Sequence, residues 1–512
     1  MKNSFKIAII CALVVVIGVC AIITIDSRKP NSDKFFTVTW ANYDGTILST
    51  KKVASGSTPT FDGDSPKKPS DSQYSYTFSG WLPATGKIYQ DTTYVAQYES
   101  QPNTDNSPQF SSVLPTFYIN TNGKTFPDRD DPDYKNYAQC EIGAFNGESL
   151  LFNEIAGIRI RGTSSRWFAK KGYKIKFSFP KTLLGLPSSK KYNLIASYPD
   201  PCKLRDYLAL SISHTMNTNS NRYAPQPILS KVYIDNDYNG LYLFIDNISS
   251  GDGKIELEQY NKTDVEIPFI IEMDTLAYQE GVEGVNYFAL GTTDVFDYDG
   301  DGWTDLLYVI DSEDNPTEAQ FAYIQNYVSS CRQALVDKNL TTFSELVDVN
   351  AFIDYFLLGE LFRNTDMAGR SVYMYRQSKD GKLIFGPSWD FDYTCSRPYK
   401  LGPNTDYTLE NAKDRFTNYD WWKLFLDIPE AQELIKARYT NYLKGIYLSE
   451  IDKAKQYYQF YEAEIKADAE VWYKQKVSDT DTLVDDNFKW TCDYFELRLE
   501  MMDELFLITE NR

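Results

Sequence analysis

The sequence predicts an α+β protein in which a β-rich part precedes a helical part. Short segments of alternating apolar and polar residues, separated by Gly, Asn and Asp turns, recur between residues 35 and 274. From residue 407 onward, aromatic and aliphatic residues recur with the spacing of helices that pack on one face. Hydrophobic residues make up 42% and aromatic residues 15% of the 512 residues, which indicates a folded chain with a large core and more than one domain.

Charge and histidine content exclude several classes of function. The formal net charge is −19, so no broad basic field is available to neutralise nucleic-acid phosphates, and we expect no nucleic-acid partner. A local basic pocket for a nucleotide is compatible with this composition. His214 is the only histidine; we expect it to be structural, which excludes His-dependent nucleophilic mechanisms and His-rich zinc sites. The chemistry must therefore rest on carboxylates, lysines, arginines and a metal ion.

The N-terminal segment predicts export of the chain. An apolar run covers residues 7–25 and follows Lys2 and Lys6. This run is just long enough to cross a bilayer, and the preceding positive charge favours a cytoplasmic N-terminus. We interpret residues 1–34 as a single-pass cell-membrane anchor and tether, with the C-terminal region outside the cell. A cleaved signal peptide, which yields a secreted protein, is the alternative, but the run lacks a clear A-x-A cleavage site.

Residues 35–98 have the pattern of a compact β-rich unit. Four alternating segments, FFTVTW, TILSTKKV, YTFSGWLP and DTTYVAQY, are separated by turn residues that include Asp44-Gly45. These segments resemble the Listeria–Bacteroides repeat, a small β-grasp-like surface module, and the resemblance implies a spacer or adhesive role. Residues 99–112 are rich in Pro, Ser and Asn and form a predicted linker. We interpret residues 113–512 as one large domain.

The β-rich part of the large domain contains a turn that suits an anion. After an opening strand at residues 114–119, the segments GIRIRG and GYKIKFSF flank a turn that contains Gly162 and Ser164. The cations of this turn are Arg166, Lys170 and Lys171. Backbone amides, hydroxyls and cations in one turn are groups that bind phosphates, and Lys174 and Lys176 follow on one face of the second strand. The alternative is a basic strand face that is only solvated.

The middle of the large domain supplies acidic candidates. A predicted helix at residues 204–216 precedes the hairpin ILSKVYIDNDYNGLYLFIDNI and the strand FIIEMD. Asp246 and Glu272 in these strands are candidates to steady a phosphate-binding lysine. A later loop has acidic residues at the spacing of a Ca²⁺ loop, namely Asp297, Asp299, Asp301 and Asp305. Tyr308 stands where an EF-hand has Glu, so the loop is either another Ca²⁺ site or an Asp/Gly hairpin turn.

One predicted hairpin organises the rest of the domain. Predicted helices at residues 317–336 and 344–362 lead to Asp366, and the strands VYMYRQ and KLIFG then lead to Asp390 and Asp392. Because the two open ends of a hairpin are neighbours, we expect these aspartates to meet at one edge of a sheet. Mg²⁺ and Mn²⁺ prefer such oxygen ligands. The alternative is that each Asp only caps a turn.

Motifs along the large domain resemble the spore coat protein H (CotH) kinase family. They are IRIRGTSSR with KKGYKIKF, KVYID with NGLYL, FIDYFLLGELFRNTD, and GPSWDFD, and the resemblance spans residues 114–506. It implies an atypical protein-kinase-like domain, with a β-rich N-lobe and a helical C-lobe, that transfers the ATP γ-phosphate to protein hydroxyls. Asp366 is then the catalytic residue, and Asp390 and Asp392 bind the metal ion. The residues implied in ATP binding are Arg161, Ser164, Lys171, Lys174 and Lys176.

Two positions depart from the family pattern. Ser371 stands where the family often has an Asn metal ligand, and we retain it as a weaker oxygen donor for the metal. Trp167-Phe168-Ala169 stand where Pro is common. The predicted anchor and β module also indicate a cell-surface protein instead of a spore coat component.

These observations support two hypotheses of different classes. The first is an extracytoplasmic kinase that uses ATP with Mg²⁺ or Mn²⁺, acts on Ser or Thr of secreted or surface proteins, and contacts the membrane through its N-terminal helix. The second is a non-catalytic adhesin or pseudokinase that uses the same fold for binding. Ser371 and the β module favour the second hypothesis.

Overall fold

The structure, a computed structural model, describes most of the chain between residues 34 and 506. The described residues are 34–43, 45–69, 74–83, 85–102, 110–126, 136–162, 165–274, 283–290, 306–311, 316–391, 394–395 and 420–506.

The first sheet contains the four strands that the alternating segments predict. They are β1 (Phe35–Ala41), β2 (Ile47–Ala54), β3 (Tyr74–Leu82) and β4 (Thr92–Pro102). Their order is β2-β1-β4-β3, and the central pair is parallel. Trp40 is fully buried and stacks on Tyr94, with 4.5 Å between ring centroids. Tyr43 leaves this sheet to join the main core, 6.1 Å from the ring of Tyr442; Asp44 of the predicted turn lies outside the described residues.

Seven strands of the described chain form a closed barrel. They are β5 (Thr116–Asn120), β6 (Ala138–Asn146), β7 (Ser149–Arg161), β8 (Gly172–Lys181), β9 (Ser189–Ile195), β10 (Ile228–Ile234) and β11 (Asp237–Asp246). Neighbouring strands are antiparallel except β10 and β5, whose parallel pairing closes the barrel. Ile158, Ile175, Tyr192 and Phe244 fill the interior, so the alternate positions of these strands face outward.

A second sheet combines three strands that follow the barrel in the chain with a later hairpin. Its strands are β12 (Phe269–Met273), β13 (Tyr287–Leu290), β14 (Leu306–Ile310), β15 (Val372–Arg376) and β16 (Ile384–Phe385). The order β13-β14-β12-β15-β16 places β12 beside β15, so that Glu272 lies opposite Tyr373. Ile271 and Met374 on the other face are fully buried in the main core.

All the described α-helices except the first follow the barrel strands in the chain. They are α1 (Arg205–Thr218), α2 (Glu318–Val336), α3 (Leu340–Leu346), α4 (Val349–Phe362), α5 (Asp420–Leu426), α6 (Pro429–Arg438), α7 (Lys444–Tyr473) and α8 (Thr480–Phe506). The helices from α4 onward are rich in buried aromatic residues and supply much of the main core. Residues 407–419, which we predicted to be helical, lie outside the described residues.

The prediction of one helix over residues 344–362 is wrong, because the helical conformation is interrupted at Val347 and Asp348. The amide of Asp348 donates to the carbonyl of Leu383 at 2.9 Å, which takes it out of any helical ladder. The Asp348 side chain then accepts from the amide of Ala351 and caps a new helix. A tertiary contact with the strand after Asp380 thus divides the predicted helix into α3 and α4.

The described chain is therefore an α+β protein. Within the part of the chain that the structure describes, no helix is both long and apolar enough to span a bilayer. The predicted anchor at residues 7–25 lies outside the described residues, so the anchor stays a prediction.

Candidate active site

The hairpin of β15 and β16 brings two distant acidic segments to the same end of the second sheet. Met374 pairs with Phe385 and Tyr375 pairs with Ile384. The second strand is shorter than predicted, because Leu383 bridges to Val347 instead of continuing the pairing with β15. The segments that precede β15 and follow β16 carry Asp366 and Asp390.

Asn364 joins these two segments. Its Oδ1 accepts a hydrogen bond from the amide of Asp366 at 3.0 Å, and its Nδ2 donates to the carbonyl of Asp390 at 3.1 Å. The pKa of the nearby Tyr355 phenol is raised, first by burial and then by the negative charges of Glu272, Asp366 and Asp390. Both aspartates are therefore near the same tyrosine. The structure therefore places Asp366 and Asp390 at one site, as the hairpin argument expects.

The backbone is strained beside this site. Asp390 has φ +63° and Ser371 has φ +53°, and both residues thus lie in the left-handed region that side chains rarely adopt. Such conformations persist only where surrounding contacts impose them, and they concentrate at functional sites. Asp392, the third predicted metal-binding aspartate, lies outside the described residues.

Helix α1 holds the far end of the acidic segment. The guanidinium of fully buried Arg205 donates to the carbonyl of Thr394 at 3.1 Å. The amide of Cys395 donates to the carbonyl of Phe362 at the end of α4, at 2.6 Å. Asp206 follows Arg205, and its burial, together with the nearby charges of Asp390 and Asp200, raises its pKa to about 6.

The outward face of β7, β8 and β9 is strongly basic. Arg159 lies opposite Lys174, and Lys176 lies opposite Lys191. Partial burial lowers the pKa of Lys174 to about 8, and the charges of Arg159, Arg161 and Lys191 lower it too, against the attraction of Asp311. Asp311 follows β14 of the second sheet, so the Lys174 side chain is within electrostatic range of that sheet.

One contact connects the basic strands to the acidic hairpin. The guanidinium carbon of Arg161 lies 5.2 Å from the centre of the Trp389 ring, which is within the range of a cation–π interaction. Trp389 immediately precedes Asp390. This contact therefore places a basic strand face next to the segment that carries Asp390, although the two are more than 170 residues apart in sequence.

The predicted anion-binding turn is only partly available to a ligand. Lys170 is fully buried and pairs with Asp468 of α7 at 2.5 Å, so it points away from the site; the hypothesis that it faces an anion is wrong. Lys171 is half-buried and donates to the carbonyl of Arg166. Lys176 is exposed and lies 5.5 Å from the centre of the Tyr137 ring. Ser164 lies outside the described residues.

Two acidic candidates contact groups that the sequence did not indicate. Asp246 lies 3.4 Å from the ammonium of Lys254 and accepts from the hydroxyl of Tyr223. Glu272 interacts with Tyr373, whose pKa is raised by burial and by the charge of Glu272. His214 contacts the carbonyl of Ala224 at 2.9 Å, which agrees with a structural role.

The donor set suits a magnesium-type ion that also binds phosphate oxygens. Asp366 and Asp390 offer carboxylates, and Ser371 offers a hydroxyl five residues after Asp366 in sequence. Among the described residues, no group of three or more Asp, Glu, His or Cys is arranged to hold a metal ion. Mg²⁺ usually takes one or two carboxylates and completes its shell with substrate phosphates and water, so two carboxylates suffice. The predicted Ca²⁺ loop at Asp297, Asp299, Asp301 and Asp305 lies outside the described residues.

Sequence reasoning missed three groups of this site. Asn364 stood beside Asp366 without a role, although Asn two residues before a required amide is a known turn signal. Trp389 precedes the aspartate pair, and its contact with Arg161 has no local signal. Arg205 contacts Thr394, 189 residues away in sequence, so no local pattern indicates it.

A family model described as CotH kinase protein matches residues 158–502, which is more than half of the chain. The chain belongs to the CotH kinase family. The CotH match includes the basic strands β7 and β8 from residue 158 onward, the hairpin and both aspartates of the site. The chain is also 24% identical over 245 residues to the Inner spore coat protein H of Bacillus subtilis (strain 168). That alignment covers 47% of this chain and 59% of the spore coat protein, so it spans less than two thirds of that relative.

Proposed function

We propose that this CotH-family protein is an extracytoplasmic protein kinase that transfers the ATP γ-phosphate to Ser or Thr hydroxyls of secreted or surface proteins. The observation that carries the proposal is the Arg161–Trp389 contact, because it sets a cationic strand face beside the Asp366 and Asp390 pair. Phosphoryl transfer requires two kinds of group side by side. Cations position the phosphates, while carboxylates accept a proton and bind a metal ion.

Each residue has a distinct role in the proposed reaction. Asp366 accepts the proton of the attacking hydroxyl as the new oxygen–phosphorus bond forms and the bond to the departing ADP breaks. Asp390, with Ser371 and Asp392 as further oxygen donors, holds Mg²⁺ or Mn²⁺, which neutralises phosphate charge when bound. Arg161, Lys174 and Lys176 orient the phosphates, with Lys171 and Ser164 of the turn as additional candidates.

Export supports the choice of substrate class. The apolar run at residues 7–25 predicts a membrane anchor or a secretion signal, and the similar Bacillus protein is named for the inner spore coat. A kinase outside the cytoplasm meets secreted and surface proteins, so their hydroxyls are the proposed acceptors.

The test uses single substitutions at the two aspartates in the full chain. We expect Asp366→Ala and Asp390→Ala to reduce Mg²⁺-dependent or Mn²⁺-dependent transfer from γ-labelled ATP by about 10²- to 10⁴-fold, because each removes a charge that acts in the transition state. Asp493→Ala, in an exposed ion pair with Lys489, is the matched control and should leave transfer unchanged. Undiminished labelling in both active-site variants, with unchanged thermal unfolding, contradicts these assignments.

A pseudokinase is the second candidate, because Ser371 replaces the Asn that the family often uses as a metal ligand. Thermal unfolding with and without ATP and Mn²⁺, alongside autophosphorylation, separates the two functions. A nucleotide-dependent increase in unfolding temperature without any labelling supports the pseudokinase. Labelling that depends on Asp366 supports the kinase.

A further inference from the structure

Asn364 is the one described side chain that hydrogen-bonds directly to the backbone of both Asp366 and Asp390. It follows α4, whose last turn ends at Arg363 in the left-handed conformation with φ +48°. The amide of Asn364 donates back to the carbonyl of Gly359 at 3.0 Å, which fixes the residue to the end of that helix. Asn364 is 1% exposed, so water does not readily replace its partners.

The orientation of the Asn364 amide follows from its partners. The amide of Asp366 can only donate, so the oxygen of Asn364 must face it. The carbonyl of Asp390 can only accept, so the nitrogen of Asn364 must face it. A flipped side chain would place a donor against the Asp366 amide and an acceptor against the Asp390 carbonyl, so only this orientation satisfies both contacts.

The two contacts serve different parts of the site. The bond from Asp366 caps the short 3₁₀ turn Thr365–Ala368 and sets the direction of the Asp366 backbone. The bond to Asp390 satisfies the carbonyl of a residue with φ +63°, an uncommon conformation that surrounding contacts must support. One rigid amide thereby sets the spacing between two segments that only meet in the folded protein.

We propose that Asn364 is a positioning residue that holds the proton-accepting Asp366 and the metal-binding Asp390 at their working separation. This inference rests on the proposed function for the meaning of that separation. The two hydrogen bonds of the Asn364 side chain are a property of the fold and can be tested without any assay of phosphoryl transfer.

Two substitutions separate the two contacts. Asn364→Asp has the same shape and still accepts from the Asp366 amide, but it places a second acceptor against the Asp390 carbonyl. Asn364→Ala removes both contacts. Asn217→Ala is the matched control, because Asn217 is also buried and also makes two side-chain contacts, with the carbonyl of Ser213 and with Arg222, away from the acidic pair.

The first measurement is peptide-level hydrogen–deuterium exchange of the full chain. We expect faster exchange in the peptide covering residues 386–391 for both Asn364 variants. The peptide covering residues 363–368 should exchange faster only in Asn364→Ala, since Asn364→Asp keeps the bond from Asp366. The Asn217→Ala control should leave both peptides at wild-type rates. Wild-type exchange of residues 386–391 in Asn364→Asp overturns the proposal.

The second measurement is Mn²⁺ binding without nucleotide, followed by electron paramagnetic resonance. Residues that orient metal ligands commonly change metal affinity or activity by about 10- to 100-fold, and we expect a loss of that size in both Asn364 variants. The proposal is overturned if both variants keep wild-type Mn²⁺ affinity and wild-type transfer rates while they lose as much thermal stability as the control. Asn364 would then be a structural residue only.

The two proposals fail in different ways. If the wild-type chain shows neither Mn²⁺ binding nor phosphoryl transfer, the proposed kinase function is wrong. The positioning role is then wrong too, even if hydrogen–deuterium exchange confirms the two hydrogen bonds of Asn364. If the wild-type chain binds Mn²⁺ and transfers phosphate while the Asn364 variants do so equally well, only the positioning role is wrong.

Discussion

At the scale of the residue, Lys174 has an environment that makes its charge depend on pH near neutrality. Partial burial and the neighbouring cations Arg159, Arg161 and Lys191 disfavour the ammonium form, and its pKa falls to about 8. An anion that binds this face relieves the repulsion among these cations. The charged form of Lys174 is therefore the form that binds phosphate.

This environment predicts a loss of nucleotide affinity at alkaline pH. Below pH 8 Lys174 is mostly charged; above it the ammonium loses its proton, so binding must weaken as pH rises, by about tenfold at pH 9. Lys174→Arg should flatten this dependence, because a guanidinium stays charged throughout. The measurement is the Kd for ATP with Mg²⁺, by calorimetry at pH 7, 8 and 9. The same slope in wild type and Lys174→Arg assigns the pH dependence to another group.

At the scale of the element, α4 supports the site and is itself fixed by charge. Its residue Asp354 is buried and accepts from Arg438 Nε at 2.7 Å and Nη2 at 2.8 Å, and Arg222 donates to the same carboxylate. Burial opposes ionisation of Asp354, but the two guanidinium groups outweigh it and hold its pKa below the usual value. The helix that leads to Asp366 is thereby joined to α6 and to the loop after α1.

Removal of Asp354 should destabilise the protein strongly. Asp354→Ala leaves two buried guanidinium groups without their carboxylate, a change that typically costs about 3–5 kcal/mol. The free energy of unfolding in urea at pH 7 measures it. The control is Lys489→Ala, which breaks an ion pair whose side chains are 75% and 41% exposed and should leave the free energy of unfolding close to the wild-type value. Equal losses in the two variants contradict a special role for Asp354.

At the scale of the whole molecule, Asp468 joins the barrel to the helices. This fully buried carboxylate of α7 lies 2.5 Å from Lys170 and 3.1 Å from Lys203, and it accepts from the amide of Leu241 in β11 at 2.7 Å. The basic strands are therefore held against the helical part by contacts that involve no residue of the acidic hairpin. The position of the cationic face depends on this connection.

A matched pair of contacts on the same helix tests this connection. Asp468→Ala leaves two buried ammonium groups without an anion, and we expect a loss of about 3–5 kcal/mol of unfolding free energy with weaker nucleotide binding. Glu464 of α7 also contacts the barrel, at 3.9 Å from Lys231, but this pair is about one-third exposed. Glu464→Ala should therefore cost less than about 1 kcal/mol. Chemical denaturation and ATP binding measure both variants; if Asp468→Ala resembles Glu464→Ala, the buried connection does not hold the two parts together.

Local patterns predicted many of the elements. Alternation identified the strands of the first sheet, the barrel strands β5, β7, β8, β10 and β11, and the hairpin of VYMYRQ and KLIFG, because strand pleating depends on neighbouring residues. The barrel strands β6 and β9 were not predicted. The boundary between α3 and α4 was missed, since it depends on a bond from Asp348 to Leu383. Barrel closure was also missed, because it requires a parallel pairing of β10 with β5 that no hairpin signal indicates.

The sequence by itself determined the chemistry that this protein carries: a hairpin with acidic ends, strands rich in Arg and Lys, and a chain with one histidine. Only the tertiary structure decided which of these groups face one another. Lys170 and Lys174 are four residues apart in one basic segment. Lys170 is buried in an ion pair with Asp468, which lies 298 residues further along the chain. Lys174 instead lies near Arg161, Lys191 and Asp311. The physical reason is that a charge is buried only where a partner from elsewhere in the chain compensates its desolvation, and sequence neighbours do not reveal that partner.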